Sequence, residues 1–98
     1  MNARKRPPLY LWEQELIDDF QDYQWRLALD PLYEQFQRWK LGEISHLELE
    51  EAIHKTHKEC QEVYSLFNNK HDFLVRVIQF NEDWFPNWVK DHPKPAEE

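Results

Sequence analysis

Apolar residues at Leu9, Trp12, Leu16, Phe20, Tyr23 and Leu27 recur at spacings of 3, 4, 4, 3 and 4 between acids and glutamines. At about 100° per residue they occupy an arc of roughly 80°, the narrow stripe of a helix in a bundle or coiled-coil seam. Pro8 suits the first turn of this helix, and Asp30-Pro31 predicts its end, because the residue before a proline is pushed out of the helical region. A short second helix is expected from Pro31 to about Leu41, carrying Leu32, Tyr33, Phe36 and Trp39. Leu41-Gly42 supplies its stop, Gly42 being the only glycine in the chain.

The third helix has the clearest start. In Ile44-Ser45-His46-Leu47-Glu48-Leu49, Ser45 and Glu48 spell a capping box, and Ile44 and Leu49 a hydrophobic staple. The helix should run to Asn68 with Leu49, Ala52, Ile53, Cys60, Val63, Tyr64 and Phe67 on one face, Thr56 among them. Asn68-Asn69 suits its end, since asparagine tolerates the left-handed conformation. Residues 72–80 fit both helical and strand periods; with no second strand to pair with inside the chain, a helix is favoured over a strand paired with a second subunit. Pro86 then interrupts, with Trp84, Phe85, Trp88 and Val89 forming an aromatic patch around it.

The expected fold is therefore all-α: a small bundle of three to four helices over residues 8–90, between a disordered basic arm at 1–7 and a disordered polar tail at 91–98. Ninety-eight residues with 15% aromatics, including five tryptophans, concentrate the apolar area in a few large side chains. A core of this size is small, so a homodimer completing a larger bundle is expected.

Charge narrows the function. The chain carries −7, yet Arg4, Lys5 and Arg6 put three positive charges at its start, leaving 9 basic against 19 acidic side chains beyond them. Such a body repels phosphate, which disfavours nucleic-acid binding. A lone Cys60 excludes an internal disulfide framework and fits a reducing compartment. No stretch has the length of a signal-peptide core or a membrane span, so a cytoplasmic location is expected, with no membrane partner.

Two functional classes remain. In the first, the chain is a non-catalytic protein–protein interaction module, with Trp25, Trp39, Trp84, Phe85 and Trp88 as anchors. Trp25 carries most of this argument: it lies about 180° from the seam, where an isolated helix has no reason to present an indole unless another segment covers it. In the second class, a helical bundle binds Fe or Zn through Glu34, Glu50, Glu51, His54 and His57. Glu50, His54, His57 and Gln61 share one stripe of the third helix, at the border between its buried face and water. Glu51-x-x-His54 also resembles the Glu-x-x-His motif of ferritin-like carboxylate bundles, which implies a metal site taking glutamates from neighbouring helices and completed here by dimerising, with Glu34 as the extra carboxylate. Against it, Glu51 projects away from the apolar face, whereas such ligands point inward.

For catalysis the chain offers little. Cys60 and His57 stand one turn apart, but a thiol on an apolar face is a poor thiolate, and a single glycine permits no glycine-rich phosphate loop. The chain thus reads as an interaction module rather than an enzyme, without a cofactor in the first class and with Fe or Zn in the second.

Overall fold

The computed structural model describes residues 7–96 of the chain, so the predicted basic arm lies almost wholly outside the described residues. Among the described residues four helices follow one another: α1 (Pro8–Lys40), α2 (His46–Phe67), α3 (His71–Gln79) and α4 (Phe85–Asp91). No strand occurs among the described residues, and the segment with both periods is α3. None of the helices is long and apolar enough to cross a membrane.

Asp30-Pro31 does not end the first helix: α1 runs through it for 33 residues, absorbing the expected short second helix. Proline removes one donor, the N–H that would bond the Leu27 carbonyl. Leu27 and Pro31 are both exposed, so water can take that carbonyl, while Leu27, Ala28, Leu29 and Leu32 around it favour helix. The real stop is Gly42, at φ 76°. Its N–H donates to the Trp39 carbonyl at 3.0 Å and that of Glu43 to Arg38 at 2.9 Å, the two bonds of a Schellman motif.

Helix α2 starts where the capping box places it. The Glu48 N–H donates to Ser45 Oγ at 3.1 Å, and the Ser45 N–H to Glu48 Oε1 at 3.2 Å. Ile44 and Leu49, the staple pair, are both buried. Its end differs from expectation, because Asn68 adopts φ −90° rather than a left-handed conformation. Asn69 closes the helix instead, its Nδ2 donating to the carbonyls of Ser65 and Leu66 at 3.1 and 2.7 Å. Pro86 likewise interrupts nothing: it occupies the first turn of α4, where its missing N–H has no partner to lose.

The chain separates into two compact units. The first comprises residues 7–20 and 70–96, the start of α1 with α3, α4 and the segment after it. Its core is Trp12, Leu16, Ile17, Phe20, Leu74, Val75, Ile78 and Trp88, with Leu16 and Ile78 at 0% exposure. Aromatic rings extend this core: Trp88 lies 5.5 Å from Trp12, 5.6 Å from Trp84 and 6.3 Å from Phe85, and Trp84 lies 5.0 Å from Phe20. His71 stacks on Tyr10 at 4.8 Å and meets Glu13 at 3.0 Å, which fastens the start of α3 to α1.

The second unit, residues 21–69, is a two-helix hairpin of α1 and α2. Its buried residues are few and mostly small: Ala28, Ile44, Leu49, Thr56 and Val63. Three residues expected in the core are exposed here, namely Leu27 at 53%, Ile53 at 41% and Tyr64 at 68%. With only two helices, each has a single inner line facing its partner, through Ala28 on α1 and Leu49, Thr56 and Val63 on α2. Leu27, Ile53 and Tyr64 lie to either side of that line and stay exposed.

Candidate interaction surface

Of the hairpin's exposed apolar side chains, Leu29, Tyr33, Phe36, Ile53 and Tyr64 fall into lines, while Leu27, Leu41 and Leu47 stand apart from them. On α1, Leu29, Tyr33 and Phe36 are exposed at spacings of 4 and 3, one continuous stripe. On α2, Ile53, His57, Cys60 and Tyr64 follow one another at 4, 3 and 4, a second stripe. Trp25, one turn before Leu29, shares a recess of about 120 Å³ with Gln21, Tyr64, Phe67 and Asn68, which sets the two stripes on the same side of the hairpin. A broader recess beside it is lined by His57, Cys60, Gln61, Tyr64 and Ser65.

The other side of the hairpin has a different character. One hollow there is lined by Gln24, Leu27, Ala28, Glu59, Glu62, Val63 and Leu66, and another by Pro31, Leu32, Gln35, Ala52, Lys55, Thr56 and Glu59. Charged side chains rim both. The apolar side, by contrast, has no carboxylate in either of its recesses.

Comparison with known proteins finds no matching family model, no similar curated protein and no similar solved structure. Any functional reading therefore rests on this chain's own geometry.

The five aromatic anchors expected from sequence divide among different roles. Trp25, expected to be exposed, is half-buried at the edge of the apolar side, beside the end of α2. Trp39 is engaged locally, its Nε1 donating to Nδ1 of His46 at 2.9 Å and so tying the end of α1 to the start of α2. Trp84 and Phe85 are half-buried in the first unit. Trp88 is 7% exposed, its ring enclosed by other aromatics and its Nε1 donating to Asp19 Oδ2 at 2.8 Å, so it holds the core of that unit together.

The expected metal set is not assembled. Glu34, Glu50, Glu51, His54 and His57 are all exposed, and the approach recorded among them is His54 Nε2 to Glu50 Oε1 at 3.6 Å. Cys60 and His57 line one recess, with no hydrogen bond between them among the described residues. The exposed Arg26 guanidinium is held above its ordinary pKa by its hydrogen bond to Asp22, a local pair one turn apart. The stripe of Leu29, Tyr33 and Phe36 escaped the sequence reading because the expected break at Pro31 divided it between two helices.

Proposed function

We propose that the chain is a non-catalytic interaction module that self-associates as a homodimer, two hairpins pairing through their apolar sides into a four-helix bundle. One observation carries this reading: large apolar side chains line one side of a hairpin that buries only Ala28, Ile44, Leu49, Thr56 and Val63. A two-helix layer cannot bury such a side by itself, and adding a second layer is the common solution for amphipathic helices. A second copy fits better than a basic partner. The acidic chain would repel its own copy at most surfaces, but the recesses of this side are lined by His57, Gln61, Ser65, Gln21 and Asn68 and contain no acid. A two-fold pairing would bring these recesses together with no carboxylate lining either of them.

Sedimentation velocity of the full chain tests this reading. The wild type should sediment as a dimer, and Tyr33→Glu together with Ile53→Glu should give a helical monomer at the same concentration. Leu27→Glu, on the charged side, should leave the dimer intact. A monomeric wild type, or a dimer insensitive to the double substitution and lost with Leu27→Glu, would overturn the proposal.

A further inference from the structure

Away from the hairpin, the first unit brings together three side chains that no sequence spacing connects. Glu15 and Asp19 stand one turn apart on α1, and His92 follows α4; one ligand atom from each lies within 4.8 Å of the others. We propose that Glu15, Asp19 and His92 form a binding site for a divalent transition-metal ion of the zinc type.

What distinguishes this set from ordinary surface acids is how Trp88 orients two of its members. His92 Nδ1 lies 2.9 Å from the Trp88 carbonyl oxygen, which can only accept, so Nδ1 carries the proton. Nε2 is then the atom turned toward Asp19 Oδ2, at 3.9 Å. The indole Nε1 of Trp88 donates to that same carboxylate oxygen at 2.8 Å. The His92 ring is stacked on Trp88 with centroids 4.3 Å apart and planes 6° from parallel, and the His92 carbonyl accepts from Trp12 Nε1 at 2.7 Å. Both imidazole and carboxylate are therefore aimed from behind, the arrangement in which metal-ligating histidines donate their other N–H to a carbonyl and ligating carboxylates are themselves hydrogen-bonded.

The separation supports the same assignment. At 3.9 Å, His92 Nε2 and Asp19 Oδ2 are too far apart for a direct hydrogen bond. Two ligand atoms on a tetrahedral zinc, with bonds of about 2.0–2.2 Å, stand roughly 3.4 Å apart, so a small side-chain rotation closes the gap. Glu15, exposed and without an interaction among the described residues, is free to turn toward the ion. One imidazole and two carboxylates, with further positions left to water, suit a borderline cation such as Zn2+ better than Ca2+, which favours oxygen ligands alone.

Titration of the full, untagged chain with Zn2+, followed by calorimetry and native mass spectrometry, tests the site. One ion per chain is expected, with Ca2+ failing to compete at equal concentration. His92→Gln should weaken binding at least about tenfold, and Glu15→Gln, which removes no contact the fold uses, should weaken it comparably. Glu50→Gln with His54→Gln should leave it unchanged. No stoichiometric Zn2+, or binding that survives Glu15→Gln and disappears with the α2 double variant, would overturn the proposal. Since the ligands belong to the first unit and the pairing surface to the second, failure of one reading leaves the other standing.

Discussion

At Ser45 a single hydroxyl oxygen satisfies one of the backbone donors that would otherwise be orphaned at the start of α2, while Glu48 reaches back to satisfy another. Ser45→Ala is expected to cost about 1 kcal/mol, read as a lowered denaturant midpoint with an unchanged slope; no loss would place the helix start elsewhere. Trp88 belongs to a costlier class. It is buried, encloses the rings of Trp12, Trp84 and Phe85, and donates to Asp19. Trp88→Ala should destabilise the fold by roughly 3–5 kcal/mol in chemical denaturation, while leaving the hairpin's apolar side chains in place. An effect below about 1 kcal/mol would show that the aromatic cluster is not a core.

For whole elements, the local signals were legible where they were chemically specific and misleading where two readings shared one residue. The capping box of α2 and the glycine stop of α1 appear in the structure with their expected bonds. Asp30-Pro31 combines a capping acid with a first-turn proline, the signature of a helix start, yet it lies within α1. A proline inside a helix costs about 3 kcal/mol, a sum that the surrounding helix formers and an exposed, hydratable Leu27 carbonyl can bear. Pro31→Ala is therefore expected to stabilise the protein, by up to about 3 kcal/mol in thermal or chemical unfolding, without changing its helical circular dichroism. Destabilisation would mean that the proline's fixed backbone angle is needed where it stands.

On the scale of the molecule, the second unit sets the expected behaviour. Its stripes of Leu29, Tyr33, Phe36, Ile53 and Tyr64 are exposed in the single chain. If the chain self-associates through them, its melting temperature should rise with protein concentration, and Tyr33→Glu with Ile53→Glu should abolish that rise while lowering the plateau. A melting temperature independent of concentration in the wild type would argue that the hairpin stands alone. The first unit, with its own aromatic core, should respond to Trp88→Ala at every concentration.

From its sequence alone the chain determined its class and much of its punctuation: an all-α fold, the start of α2 at Ser45 and the stop at Gly42. These follow from backbone hydrogen-bond needs and from period, which act over a few residues. Tertiary structure alone decided the rest. Whether Trp88 faces water or other rings, whether Ile53 and Tyr64 are covered, and whether His92 meets Asp19 all depend on which distant element packs alongside. The polar segment after Asp91 shows this most plainly, since His92 and Lys94 reach Trp12, one by its carbonyl and the other by an ammonium 5.9 Å from the ring centroid. Eighty residues separate Trp12 from His92, and no local spacing can encode a contact that only chain reversal creates.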